Sequence, residues 1–179
     1  MHTDEQLMLE FQRGSREAFE ELFARYREPI FGFFRRRLED VARAEELAQE
    51  TFVAVLRAVR RYEPRALFRT YLYGIALHLL SADRRKQSHA QPSPEHAEEP
   101  ATSADPDAAL WVRQALERLD HGEREVLMLR EYEQLSYEEI ARLLRVPMNT
   151  VRSRLFRARM ALREALRAER NVSRGIQNA

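Results

Sequence analysis

The chain has 179 residues, 44% apolar and 33% charged, with only five glycines, which is the make-up of a globular, helix-rich protein of one large or two small domains and not of a disordered or fibrous one. With no cysteine there is neither a disulfide framework nor a thiolate zinc site, and the acidic start MHTDEQLMLEFQRG has no apolar signal segment; a reducing compartment, the cytoplasm, is the expected home, without a membrane span. A net charge of +1 conceals segregation: residues 1–87 carry +2, residues 88–107 carry −5 with four prolines, and residues 108–179 carry +4, so the basicity is local, as in a nucleic-acid footprint.

Along the first segment a short N-terminal helix is followed by one from Ser15 to about Leu38. There Phe19, Leu22, Phe23, Tyr26, Ile30, Phe31 and Phe34 recur at three- and four-residue spacing, a stripe for a core. Pro29 predicts a kink in it. Asp40 is placed to cap the next helix, whose inward set is Ala44, Leu47, Ala48, Thr51, Phe52, Val55, Leu56 and Val59. Tyr62-Glu63-Pro64 marks a turn before a helix from about Leu67 to Arg85 that buries Phe68, Leu72, Ile75, Ala76 and Leu79. Residues 88–107, SHAQPSPEHAEEPATSADPD, read as an acidic, proline-rich linker.

Beyond it, Leu110, Val112, Leu116 and Leu119 outline one helix and Glu123 to Arg130 another, with Val126, Leu127 and Leu129 inward. Ser136-Tyr137-Glu138-Glu139 is a capping box, with the Ser136 hydroxyl aimed at the Glu139 amide and the Glu139 carboxylate reaching back. The helix it opens must stop before Pro147. After Arg145 to Met148 a basic helix begins, with Asn149 or Thr150 as its cap; two helices with a tight turn between them make a helix-turn-helix. At about 100° per residue, Val151, Leu155, Ala158, Leu162 and Leu166 share one face of that basic helix, and Ser153, Arg157 and Met160 lie opposite. Arg152, Phe156 and Arg163 fall on one shoulder, so Phe156 points away from the core. An aromatic on an exposed basic face fits a thymine methyl or base edge in a major groove, with Arg152, Ser153 and Arg157 as donors to bases or phosphates.

The segment LSYEEIARLLRVPMNTVRSRLFRARMALR resembles the minus-35 reading module of the extracytoplasmic-function (ECF) sigma factors of bacterial RNA polymerase. FEELFARYREPIFGF, ARAEELAQETFVAVLRAV and FRTYLYGIA resemble, in order, the core-binding and minus-10 segments of that family, so the resemblance covers about residues 5–168. It implies an all-α fold of two small helical domains: a region 2 bundle over 1–87 and a region 4 helix-turn-helix over 108–170, joined by the 88–107 linker, with 171–179 as a tail. It implies binding to core RNA polymerase through Glu46, Leu47, Gln49, Glu50 and Phe52. Minus-35 contacts fall to Thr150, Arg152, Ser153, Phe156 and Arg157. The loop from Tyr62 to Phe68 corresponds to the one that receives an unstacked non-template base. Minus-10 contacts fall to Arg65, Arg69, Tyr71, His78, Arg84 and Arg85, an aromatic-basic mix suited to single strands; Phe68 reads as core and Tyr71 as the surface aromatic.

Several positions depart from the family pattern. Tyr71 stands where many relatives have Trp, and Leu77-His78 where they commonly have Arg-Asn, which leaves the minus-10 preference open. Arg145 replaces the usual Gly, and a left-handed backbone there costs about 1 kcal/mol. The family also implies an anti-sigma factor as partner, a monomer when no partner is bound, and a linker that threads toward the RNA exit channel; Glu95, Glu98, Glu99, Asp105 and Asp107 either take the transcript's place there or only keep a tether soluble. No catalytic, cofactor or metal constellation is expected: the five histidines, 2, 78, 89, 96 and 121, lack ligand spacing, and no Gly-rich phosphate loop is present. The competing reading is a free-standing helix-turn-helix activator with a helical sensor or dimerisation domain. Against it stand the 43–61 helix and the aromatic-basic 62–86 segment, which such an activator has no reason to contain.

Overall fold

The computed structural model describes residues 2–89 and 106–177, with side chains over 2–87 and 112–167. It divides into two compact units, residues 1–98 and 99–179. Among the described residues all regular structure is helical, eight α-helices and one 3-10 turn.

The first unit holds α1 (Asp4–Gln12), α2 (Arg16–Arg35), α3 (Val41–Ala58), a 3-10 turn over Val59–Arg61, and α4 (Phe68–His89). Local chemistry sets each start: Thr3 and Gln6 form a capping box on α1, Ser15 accepts from the Ala18 amide, and Asp40 accepts from the Arg43 amide at 3.1 Å. Gly14, at φ +108, lets the chain reverse between α1 and α2, with the Ser15 amide donating back to the Glu10 carbonyl. Helix α2 runs through Pro29 and ends at Arg35, three residues before the expected limit. The core gathers Leu7 and Met8, Leu22, Ile30, Phe33 and Phe34, Leu47 and Val55, and Leu72, Ala76 and Leu80.

That stripe corrects the periodicity reading at its edges. From Leu22, Phe33 lies about 20° around the helix and Phe31 about 180°, so Phe33 enters the core in place of Phe31; Phe23 and Leu56 are exposed, and Val59 is half-buried. On α4 the buried line is rotated toward Tyr73 and Leu80, which leaves Ile75 and Leu79 half-buried at its edge. Phe68 is core, as expected. Helix α4 also runs past Arg85 to His89.

The second unit holds α5 (Pro106–Glu117), α6 (His121–Glu131), α7 (Tyr137–Leu144) and α8 (Met148–Gln177), with α5, α6 and α7 all packed on α8. Helix α5 begins on a proline, whose missing amide has no bond to lose there. Val126, Leu127 and Leu129 are inward as read, joined by Met128, Ala115, Leu119 and Leu135. Of the stretch expected as linker, 90–105 lies outside the described residues, as do Glu95, Glu98, Glu99 and Asp105, while α4 and α5 occupy its two ends. Leu110 likewise has no described side chain. Helix α8 continues through 171–177, where the sequence indicates only a tail.

Candidate nucleic-acid and polymerase interfaces

The capping box on α7 forms in both directions: the Ser136 amide donates to Glu139 Oε2 at 2.8 Å and the Glu139 amide to Ser136 Oγ at 3.2 Å. The helix closes at Arg145, whose backbone is left-handed (φ 53, ψ 43), while the Val146 amide donates to the Ala141 carbonyl at 3.0 Å. Helix α8 then starts at Met148, one residue before the earliest expected cap. The Pro147 carbonyl accepts from the Thr150 and Val151 amides, and Asn149 Oδ1 accepts from Arg152 Nη1 at 3.2 Å, so its side chain serves an arginine. A turn of three residues, Arg145 to Pro147, therefore joins α7 to α8.

Val151, Leu155 and Ala158 are fully buried, and Leu162 and Leu166 are half-buried toward the far end. Phe156 is 67% exposed, the most exposed large apolar side chain among the described residues. Arg152 and Ser153 are exposed around it, and Met160 extends the same face. Three other arginines are partly committed. Arg157 Nε donates to Glu123 Oε1 at 2.6 Å and Arg159 Nη2 to Glu131 Oε1 at 2.7 Å, both on α6, and the Arg154 guanidinium lies over Gly122. Sequence spacing gives no sign of these ties, because Glu123 and Glu131 are about thirty residues away. Thr150 is half-buried beside this face, with its carbonyl accepting from Ser153 Oγ.

On the first unit, Glu46, Gln49 and Glu50 are exposed on α3, whereas Leu47 is 1% and Phe52 7% exposed. Leu47 is thus core. Phe52 meets Phe23 edge-on at 4.8 Å, and both line a groove of about 470 Å³ together with Arg27, Glu28, Phe31 and Gln49. Arg43, absent from the expected set, organises the acids: Nη1 is 2.6 Å from Glu46 and 3.7 Å from Glu50, and Nε donates to the buried carboxylate of Asp83 on α4 at 2.8 Å. The bond to Glu46 raises the Arg43 pKa further, burial opposes it, and Asp83 adds to the rise. The 43, 46, 50 spacing is a legible signal for two of these contacts.

The expected minus-10 residues divide. On α4, Tyr71, His78 and Arg85 recur every seven residues and so lie along one side, opposite the buried line, while Arg84 lies on another side and Arg69 is half-buried. Arg65 sits in the exposed loop, with Nε donating to Glu63 Oε2 at 2.6 Å. Tyr71 is half-buried, its ring 5.3 Å from Tyr62 and 6.2 Å from Phe68. Burial raises the Tyr71 pKa; burial first, then the Glu5 carboxylate, pushes Tyr62 up to about 12. The Tyr62 hydroxyl is buried without a hydrogen-bond partner among the described residues.

Family comparisons fall on the same two units. Residues 22–90 match the family described as Sigma-70 region 2, and residues 109–162 match Sigma-70, region 4. The chain is 35% identical over 182 residues to the RNA polymerase sigma-H factor of Pseudomonas aeruginosa, covering 91% of this chain and 93% of that protein. It is 30% identical over 176 residues to the ECF RNA polymerase sigma-E factor of Haemophilus influenzae, 88% of this chain and 92% of that one. Among solved structures it is similar to CnrH in complex with the cytosolic domain of CnrY, at TM-score 0.70 and 26% identity, covering 92% of this chain and 97% of that one. No helix among the described residues is long and apolar enough to cross a membrane.

Proposed function

The chain belongs to the sigma-70 family, among its ECF sigma factors, and from that premise we propose how its side chains divide the work of an alternative sigma factor, which binds core RNA polymerase and directs promoter-specific initiation. Relatives that match across both units leave the free-standing activator without support, since region 2 is matched as well as the helix-turn-helix.

Residues 1–87 form the core-binding and minus-10 domain, and 108–170 the minus-35 domain. Helix α8 enters the major groove of the minus-35 element, with Arg152 and Ser153 donating to bases or phosphates and Phe156 packing on a thymine methyl. The observation that carries this is Phe156, 67% exposed on a basic helix whose apolar line of Val151, Leu155 and Ala158 is fully buried. Thr150 lies near the helix N-terminus, where backbone amides favour a phosphate. Arg157 takes part by exchanging Glu123 for the DNA.

Glu46, Gln49 and Glu50 supply the polar part of the polymerase contact, and Phe52 its apolar edge in the groove; Leu47 supports them from beneath. Tyr71, His78 and Arg85 line the side of α4 that faces the minus-10 strand, with Arg65 on the loop before it and Arg69 and Arg84 reaching phosphates from the flanks. The protein works in the cytoplasm, as a monomer until it meets polymerase or an anti-sigma factor. Exposed Phe23, Val53 and Leu56 on the first unit are suited to such a masking partner; native mass spectrometry of the chain isolated from its host should find that partner at one copy, and a bare chain before induction would contradict it. The linker acids Glu95, Glu98, Glu99, Asp105 and Asp107 occupy the RNA exit path; unchanged ratios of abortive to full-length transcripts after neutralising all five would remove that role. No step in this reading requires catalysis.

Site-specific crosslinking tests the division. A photoreactive residue at position 156 of the holoenzyme should label the minus-35 duplex, and one at position 71 the minus-10 non-template strand. Labelling of the opposite elements, or none from position 156, would reject it. With few phosphate contacts, log affinity should fall against log salt by about 0.9 per contact.

A further inference from the structure

The loop between the 3-10 turn and α4 is held at both ends by one helix. Gln12, at the end of α1, donates from Nε2 to the carbonyls of Val59 (2.8 Å) and Tyr62 (3.1 Å), and Glu5, seven residues earlier on the same face, accepts the Phe68 amide at 2.7 Å. The second contact answers a local deficit. Helix α4 opens after Leu67, whose side chain has no acceptor for the first-turn amides, so a carboxylate 63 residues away acts as the cap. Helix α1 is fixed in turn: Thr3 and Gln6 box its start, and Asp4 accepts from the Tyr26 hydroxyl and from Arg25.

The two held residues, themselves buried, back the ring of Tyr71. Tyr62 and Phe68 have ring centroids 6.3 Å apart, and both meet Tyr71, while Glu63, Pro64, Arg65 and Leu67 between them stay exposed. Tyr71, the one partly exposed ring of the three, backed by Tyr62 and Phe68 and with Arg65 exposed on the loop before it, is suited to stacking a single unstacked base. We propose that Glu5 and Gln12 of α1 are positioning residues for base capture, fixing the two ends of the 62–68 loop in the form that accepts an unstacked minus-10 base. This rests on the assignment of that loop to the non-template strand.

A protein-by-DNA cycle tests it. Abasic sites are introduced one at a time across the non-template minus-10 strand of a forked promoter, and holoenzyme affinity is measured for the unaltered chain, Glu5→Ala, Gln12→Ala, Tyr71→Ala and the conservative Glu5→Gln. The unaltered chain should lose on the order of tenfold at one position. Glu5→Ala and Gln12→Ala should each lose about three- to tenfold on intact DNA and little more at that abasic position. Affinity for core polymerase should stay unchanged, and Glu5→Gln, which keeps an acceptor, should behave nearly as the unaltered chain. If Tyr71→Ala abolishes the abasic sensitivity while both α1 variants retain it in full, the positioning role is overturned and the loop assignment stands. If the unaltered chain has no sensitive position, the loop assignment fails and takes this proposal with it. Equal losses of core and promoter affinity in the α1 variants would mean that these residues merely hold the unit together, and would also overturn it.

Discussion

Two adjacent residues on α8 should respond to truncation in opposite ways. Phe156 is 67% exposed and Leu155 is 1% exposed. Full burial of a Phe removes roughly 150–250 Å² from water, so the exposed part of Phe156 offers on the order of 130 Å² to a partner. If the DNA covers about half of it, at about 25 cal/mol per Å² the contact is worth about 1–2 kcal/mol, or about five- to thirtyfold in affinity. Phe156→Ala should therefore weaken holoenzyme binding to a promoter with an intact minus-35 element by about that factor, and leave a promoter with a scrambled minus-35 unaffected. Its effect on folding should stay within about 0.5 kcal/mol, as for other surface changes. Leu155→Ala should instead cost about 2–5 kcal/mol of stability by opening a cavity. Competition binding with both promoters, beside urea denaturation, separates the two effects. An unchanged ratio between intact and scrambled promoters for Phe156→Ala would refute the groove assignment; a large loss of stability would show instead that the ring is a packing residue.

Arg145→Gly should relieve the left-handed backbone by about 1 kcal/mol, partly offset by the freer unfolded chain, and raise the thermal midpoint of the second unit by a few degrees; an unchanged or lower midpoint would contradict this. Tyr62 keeps its proton to about pH 12 in the fold, whereas an unfolded tyrosine ionises near pH 10. Between these values the unfolded chain has lost a proton that the native state holds, so the stability Tyr62 provides is intact below pH 10 and fades as pH rises to about 12. Tyr62→Phe, which removes a buried hydroxyl without a partner, should be neutral or stabilising at pH 7 and should shed less stability over that window; parallel denaturation curves at each pH decide it. Arg43→Ala should cost on the order of 2 kcal/mol by leaving the buried Asp83 carboxylate without its cation, and clearly less in an Asp83→Asn background. Additive losses would show that the bridge is not coupled.

Much of this molecule is written in local signals. The Ser136–Glu139 box, the Asp40 cap and the separation of Phe156 from the Val151, Leu155, Ala158 line all follow from spacing, because caps and helical faces are decided within one or two turns. Arg145 stands out only through the resemblance, where the family usually has Gly, as a position at which left-handed backbone is costly, and its φ of 53 is that conformation. Misreadings occur where tertiary packing chooses between neighbours. Phe33 and not Phe31, and Leu80 more than Leu79, enter the core, because the buried line follows where the facing helices lie and not where apolar residues are densest. The contacts that tie the sites together were beyond reach: Arg157 with Glu123, Arg43 with Asp83, and Gln12 and Glu5 with the 59–68 segment join residues tens of positions apart.

The most direct test is transcription in vitro with the purified chain, core RNA polymerase free of any sigma factor, and a library of random promoter sequences, followed by sequencing of the transcripts. Discrete start sites preceded by two shared elements are the predicted result. Replacing Phe156 should blur the upstream element, and replacing Tyr71 the downstream one. A core enzyme that stays silent with this chain, yet is activated by it once the housekeeping sigma factor is supplied, would contradict the account at its centre.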